Sequence, residues 1–258
     1  MRMVIKVGSS TLTYETGRLN IGRFEEFCRI VSDLVNRGIQ VILVSSGAIA
    51  MGVGKLRLPE RPKEISEKQA VAAVGQSELM YAYDKAFSEY GHTVAQILMT
   101  ADDFDHEARH GNFTNTVDAL LRFGAIPIIN ENDSVATDEI KVGDNDTLSA
   151  LVAASVSADT LVLLSDIDGL YTGDPRTDPD AKLITTVDRI TEDIEAMAGS
   201  AGTERGTGGM KTKIHAAKIA TEAGCRMIIT NGSKPTDLYR IAEGEAIGTE
   251  FKVGNSHG

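Results

Sequence analysis

Cysteine is scarce: 258 residues hold two, Cys28 and Cys225, in apolar helix and strand contexts and without metal-ligand spacing, so buried free thiols are expected. Long apolar runs are missing too, and none approaches the roughly 20 residues that span a bilayer. The opening MRMVIKVGSS passes straight into a strand and lacks the apolar stretch of a signal peptide, so the expectation is a cytoplasmic protein with no membrane partner. Positive charge is in deficit, with 26 Lys and Arg against 37 Asp and Glu and a formal net charge of -11. That balance argues against nucleic acid as a partner, because binding a phosphate backbone needs a basic face. An anionic substrate would instead need a few lysines to make a local positive site within a negative protein.

Several motifs are absent as well. There is no GxxxxGK[ST] phosphate loop, and Gly52-Val53-Gly54-Lys55 has neither its spacing nor its hydroxyl. No GxGxxG opens a helix after the first strand, which weighs against a dinucleotide-binding domain. HExxH and the protein-kinase motif set are missing too. His106, Arg109 and His110 fall in a polar linker with no cysteine or third regularly spaced histidine nearby, and read as surface or hinge residues rather than metal ligands.

What is present is a regular alternation of strand and helix. Apolar runs predict strands over 3–7, 40–44, 93–99, 126–129, 160–164 and 226–230. Phe24, Phe27, Cys28, Val31, Leu34 and Val35 recur at helical spacing and stop before Gly38. Helices are also predicted over about 66–90, up to about 123, over 148–156 and 210–223, and briefly over 235–243. Alternation of this kind implies a mainly parallel sheet covered on both faces, and 42% hydrophobic residues suffice for one large α/β domain or two lobes.

Within this pattern, residues 127–150 (PIINENDSVATDEIKVGDNDTLSA) stand out. A buried strand turns abruptly into Asn130, Glu131, Asn132 and Asp133. After an apparent hairpin, Gly143-Asp144-Asn145-Asp146 leads into an apolar helix. Carboxylates and amides crowded at a strand end and a helix start are costly unless something cationic or amine-bearing binds there. The stretch therefore reads either as a small-molecule site at the strand-end crevice of an open α/β sheet or as a solvated Asx-rich loop. Lys6 is anomalous inside the first strand, unless it snorkels to water from a strand edge. Ser45-Ser46-Gly47-Ala48 joins strand to helix in the way that presents backbone N–H groups to an anion.

The glycine-rich loop GSAGTERGTGGMKTK, residues 199–213, is a second candidate site. Gly206, Gly208 and Gly209 permit close approach to phosphates, and the following helix adds its N-terminal dipole and Lys211 and Lys213. The plain alternative is a flexible loop with solvated lysines. A phosphate site without Walker chemistry, beside an amide- and carboxylate-rich pocket, suits a kinase acting on a small molecule. Phosphoryl transfer needs positive charge and positioning more than covalent help. Lys6 and Lys213 are the expected cations, with Asp146 fixing them and offsetting their mutual repulsion.

These residues carry a resemblance. VIKVGSSTLT, VSSGAIAMG, INENDSVATDEIKVGDND, LLSDIDGLYTGDPR and GTGGMKTKIHAA together make nearly the whole chain similar to the amino acid kinase family. The resemblance implies a three-layer αβα sandwich with a mainly parallel central sheet. It implies a single domain over 1–258, with an amino-acid-binding lobe over about 1–160 and a nucleotide-binding lobe over about 161–258. The INEND…KVGDND stretch resembles the branch that phosphorylates the γ-carboxylate of L-glutamate with ATP, at the first step of proline synthesis.

By that resemblance Lys6, Asp146 and Lys213 are the catalytic set. Ser46, Gly47, Asn130, Asp133 and Asn145 line the amino-acid pocket, with Asp133 suited to the α-ammonium. Lys6, Ser165, Asp166, Tyr171, Asp174 and Pro175, with Thr207, Gly208, Gly209, Met210, Lys211, Thr212 and Lys213, contact the nucleotide. No protein metal ligand is implied, and Mg²⁺ rides on the nucleotide phosphates. Proline feedback, homo-oligomerisation and a partnership with the reductase that consumes the labile product are implied too.

Three departures from the family pattern stand in this sequence. Ser165-Asp166 replaces the usual Thr-Asp and keeps the hydroxyl. Lys211 holds a position often given to a small residue. The C-terminal PUA domain that many members carry after this point is expected to be missing. The rival readings are a sister kinase acting on aspartate, acetylglutamate or a nucleoside monophosphate, and a non-catalytic glutamate or proline sensor. VSSGAIAMG offers no basic residue before Lys55 for a nucleotide acceptor, and a sensor need not keep both lysines and Asp146.

Overall fold

The computed structural model describes residues 1–135, 145–200 and 209–254. In chain order its elements are β1 (Arg2–Val7), α1 (Ser9–Leu12), α2 (Ile21–Asn36), β2 (Gln40–Ser45), α3 (Ala48–Leu56), α4 (Ile65–Ser88) and β3 (Val94–Met99). Then follow α5 (Ala101–Asp105), α6 (Glu107–Arg122), β4 (Ile126–Glu131), α7 (Asn145–Ser155), β5 (Thr160–Ser165), β6 (Leu170–Tyr171), β7 (Leu183–Ile184) and β8 (Thr186–Val187). The last are α8 (Glu192–Ser200), α9 (Met210–Glu222), β9 (Arg226–Asn231), α10 (Asp237–Ala242) and β10 (Thr249–Phe251).

Among the described residues eight strands form one sheet in the order β3-β4-β2-β1-β5-β9-β10-β8. Strands β3, β4, β2, β1, β5 and β9 are mutually parallel, and β10 runs antiparallel to β9. Helices cover both faces, as the near-continuous apolar strands require. The expected αβα architecture with a mainly parallel sheet is what forms. Neighbours of β1 lie on both sides, β2 on one and β5 on the other, so the order reverses at β1. Open α/β sheets bind ligands outside the carboxyl ends of strands at such a reversal.

The period-2 pleat decides which side chains meet. Met3, Ile5 and Val7 of β1 join Leu43, Val162, Leu164 and Ile228 beneath α2, α4 and α10. Val4 faces the other way with Val44, Ile129, Leu163 and Ile229, beneath α6, α7 and α9. Lys6 shares the parity of Val4 and therefore points toward α7 and α9. Burying it there is tolerable only if those helices supply a counter-charge.

Local signals account for most boundaries. Asn20 caps α2 by accepting from the Arg23 N–H at 3.4 Å. Asp103 and Thr100 form a reciprocal capping box at α5. Asp174 and Asp178 accept from the backbone N–H two residues on, at 3.0 Å each, in the turn-rich segment between β6 and β7. Cys28 and Cys225 are buried free thiols, and burial pushes the Cys225 thiol up to about 12.

One expectation is corrected. Arg109 and His110 are not in a linker but in the first turns of α6. Arg109 pairs with Asp103 at 2.9 Å, and His110 Nε2 lies 2.7 Å from Ser155 Oγ, so these side chains tie α6 to α5 and α7. Sequence inspection also does not foresee the short α1 or α8, the latter taking in Gly199 and Ser200. The expected hairpin after Asp133 and the loop residues 201–208 lie outside the described residues.

Candidate active site

The site is assembled from strand ends. Lys6 near the end of β1, Ser45 at the end of β2, Asn130 and Glu131 at the end of β4 and Ser165 at the end of β5 all open onto one edge of the sheet. Helices α7 and α9 start at that edge and pack against each other. Their first turns deliver Asn145 and Asp146, and Lys213.

Asp146 is 1% exposed, and it holds both lysines. Lys6 Nζ lies 2.8 Å from Oδ1 and Lys213 Nζ donates to Oδ2 at 2.9 Å. The Thr212 hydroxyl also lies 2.9 Å from Oδ2. Burial pushes the Asp146 carboxyl up, but the two ammonium groups and their hydrogen bonds outweigh it and hold it well below the usual carboxylate range. Lys6 and Lys213 are themselves only 9% and 7% exposed. Two buried ammoniums around one carboxylate leave a net positive charge, within an acidic protein, at a strand-end crevice.

On one side of this triad lies a cleft lined by Ser165, Asp166, Tyr171, Asp174, Met210 and Lys213, with Pro175 and Gly209 completing its wall. All of these were predicted for nucleotide contact, from three separate stretches of the chain, while Lys6 and Thr212, also predicted, are not among the cleft's lining. Lys211 is exposed on the outer face of α9. Thr207 and Gly208, also predicted for this side, lie outside the described residues.

On the other side is a cluster of amides. Gly47 sits between β2 and α3 at φ 106°, a left-handed conformation that glycine adopts without steric cost, and so turns the chain sharply after Ser46. Asn145 Nδ2 donates to Ser46 Oγ at 2.9 Å and to Asn130 Oδ1 at 3.2 Å. Asn130 Oδ1 also accepts the Glu131 backbone N–H at 2.9 Å. Asn130 Nδ2 donates to Gln76 Oε1 at 2.8 Å.

Two polar atoms of this cluster, Gln76 Nε2 and Asn145 Oδ1, are buried without hydrogen-bond partners among the described residues, and so is Oδ1 of Asp133, two residues past Glu131 at the end of β4. Buried polar atoms are normally satisfied, so three such atoms point to a missing polar ligand. Burial pushes the Asp133 carboxyl up to about 6, against the opposing pull of Arg61. Of the residues predicted for the amino-acid pocket, Ser46, Asn130 and Asn145 are joined in this network, Gly47 follows Ser46 in the chain, and Asp133 follows the end of β4 by two residues. Gln76 was not predicted. The available signal was a lone amide inside the alanine-rich run AVAAVGQSELM.

A larger cavity of about 710 Å³, lined by Phe24, Met51, Lys55, Glu78, Tyr81 and Lys85 among others, shares no residue with the triad or the amide cluster. The triad has the charges that phosphoryl transfer needs, whereas that cavity has mixed charge and no buried cation.

The sheet, the Lys–Asp–Lys centre and the two flanking subsites define a class. The amino acid kinase family model matches residues 1–231, and the chain belongs to that family. Within it the chain belongs to the glutamate 5-kinases. It is 59% identical to the glutamate 5-kinase of Clostridium tetani, over 97% of this chain and 94% of that protein. It is 54% identical to that of Thermoanaerobacter sp. (strain X514), over 97% of this chain and 68% of that protein. Solved structures agree in fold. The chain resembles carbamate kinase from Giardia lamblia bound to AMP-PNP with a TM-score of 0.68 at 15% identity, covering 97% of this chain and 98% of that one. Isopentenyl phosphate kinase of T. acidophilum gives 0.66 at 20% identity, covering 98% and 100%.

Proposed function

We propose that the chain transfers the γ-phosphoryl group of ATP to the γ-carboxylate of L-glutamate, forming γ-glutamyl phosphate at the head of proline biosynthesis. The observation that carries this reading is Asp146 clamped between Lys6 and Lys213, with the cleft of Ser165, Asp166 and Met210 on one side and an amide cluster on the other. A carboxylate oxygen of glutamate attacks the γ-phosphorus in line. The bond from that phosphorus to the β,γ-bridging oxygen breaks, and ADP leaves with the electron pair. Both reactants are anions, so the barrier falls chiefly through preorganised positive charge. Lys6 and Lys213 supply it, and Asp146 keeps both ammoniums aimed at the crevice while limiting their repulsion. Because Asp146 is already deprotonated and doubly paired, it serves as an organiser rather than a base.

Ser165, Asp166, Tyr171 and Asp174 receive the nucleotide, with the start of α9 at its phosphates. Among the described residues no three His, Cys, Asp or Glu side chains gather to hold a metal ion. Both Asp146 oxygens are engaged, which fits a magnesium ion carried by the nucleotide phosphates. Such an ion, when bound, screens charge on the β- and γ-phosphates. Asp133 and the free Asn145 oxygen accept from the α-ammonium of glutamate. Proline, which keeps an α-carboxylate and an ammonium but has no γ-carboxylate, competes for the same cluster. We further propose a cytoplasmic homo-oligomer that hands its labile acyl phosphate to a reductase.

Hydroxylamine trapping with ATP and Mg²⁺ tests the acceptor. Hydroxamate should form with L-glutamate and not with aspartate, N-acetylglutamate or a nucleoside monophosphate. Turnover with another acceptor, or glutamate binding without any turnover, would replace this reading with a sister kinase or a sensor.

A further inference from the structure

Gln76 sits on α4 where that helix comes closest to α3. The neighbouring Gly75 has no room for a side chain, since a Cβ there would lie 1.7 Å from the Ala48 carbonyl oxygen. This contact seats Gln76 against the start of α3 and the end of β4, 92% buried if its 8% exposure is taken away from the whole.

Its orientation follows from the network. The Glu131 backbone N–H can only donate, so the Asn130 atom that receives it is the oxygen. The other Asn130 atom is then the amide nitrogen, and its partner on Gln76, 2.8 Å away, is the oxygen. Gln76 Nε2 is left as a buried donor with no partner among the described residues. The same logic makes the orphan atom of Asn145 an acceptor. With the buried, unpartnered Asp133 carboxylate oxygen two residues past β4, the stretch offers one donor and two acceptors, which matches an amino acid zwitterion, carboxylate to the donor and ammonium to the acceptors.

Asn145, the chain neighbour of Asp146, bonds to Asn130 and Asn130 to Gln76, so Gln76 is at the end of the network away from the triad. The reacting γ-carboxylate occupies the Asp146 end. We propose that Gln76 Nε2 binds the α-carboxylate of the substrate and makes this carboxylate a requirement for turnover, an inference that rests on glutamate being the acceptor.

Gln76→Glu is the sharpest test, being nearly isosteric. It keeps the acceptor facing Asn130 and replaces the donor by an acceptor. The probes are L-glutamate and its α-amide, which keeps the γ-carboxylate and carries an NH₂ donor in place of one α-oxygen. Both are read as hydroxamate formation. Wild-type protein should prefer L-glutamate over the α-amide by at least about tenfold in kcat/KM, the scale of a lost hydrogen bond to a charged group. In Gln76→Glu, kcat/KM for L-glutamate should fall roughly 10- to 100-fold and the preference should shrink or invert. The KM for ATP should stay within about twofold by the same argument.

Gln76→Ala, in which neither ligand is repelled, should bring the two probes toward equality. Equal losses for both probes in either variant would mean that Gln76 only supports the cluster, and would overturn the proposal. So would a wild-type protein that uses both probes equally well, a result that needs no variant to fold. Failure of wild-type protein to turn over L-glutamate would instead sink the kinase reading itself.

Discussion

Asp146 and Asp133 are two buried carboxylates with opposite environments, and their behaviour with pH follows from that difference. Asp146 is held below its unfolded pKa of about 3.9. Its contribution to stability is therefore fully present above that value and is lost only as pH falls through the depressed folded pKa. Asp146→Ala strands two buried ammoniums, and urea titration at pH 7 should show a loss of about 3–5 kcal/mol. Asp133 is raised to about 6, so it is charged at pH 7 against the preference of its surroundings. Asp133→Asn should raise the melting temperature of the ligand-free protein at pH 7, because an unfavourable buried charge is removed. The same variant should raise the KM for glutamate, because the partner of the ammonium is gone. In the wild type, kcat/KM for glutamate should be flat above about pH 6 and fall tenfold per pH unit below it, as Asp133 takes up a proton in the free enzyme. An acid limb that persists unchanged in Asp133→Asn would assign the titration to another group.

At the scale of elements, the α3–α4 pair sets the precision of the amino-acid side. Gly52 and Gly75 let the two helices nearly touch, since a Cβ on Gly52 would lie 2.0 Å from the Val71 carbonyl oxygen. Gly75→Ala should force the helices apart at a cost of about 1–3 kcal/mol, visible as a lower melting temperature. Because Gly47 immediately precedes α3 and α4 carries Gln76, the KM for glutamate should rise while that for ATP changes little. This geometry also shows what could be read from the chain in advance. Lys6 betrayed itself as a lysine in an apolar strand, and Asn130, Asp133, Asn145 and Asp146 as polar groups crowded at strand and helix ends. Those are local conflicts between residue and context, and they surface in a linear reading. Gln76 was not legible, because its meaning depends on Asn130, 54 residues away, and on a helix crossing that no local pattern encodes. Arg109 and His110 misled for the complementary reason. Their polar run looked like a linker, whereas both residues stand in α6 and reach Asp103 and Ser155.

At the scale of the molecule, one sheet runs through both halves, with β1 paired to β2 on one side and to β5 on the other. The triad spans that seam, because Lys6 comes from β1, Asp146 from α7 and Lys213 from α9. We propose that the two lobes form one cooperative unit. Urea unfolding followed by far-UV circular dichroism and by tyrosine fluorescence should then give a single coincident transition. The central claim is that the buried Lys–Asp–Lys centre transfers the phosphoryl group, and the most direct measurement is the rate of hydroxamate formation from L-glutamate in Lys213→Ala. The binding of glutamate and of ATP should be measured separately on the same folded protein. The account predicts a fall in kcat of at least about 10²- to 10³-fold, the scale of removing one preorganised group from a transition state, with glutamate binding changed little. A variant that keeps most of its kcat would contradict it and move the chemistry away from this centre.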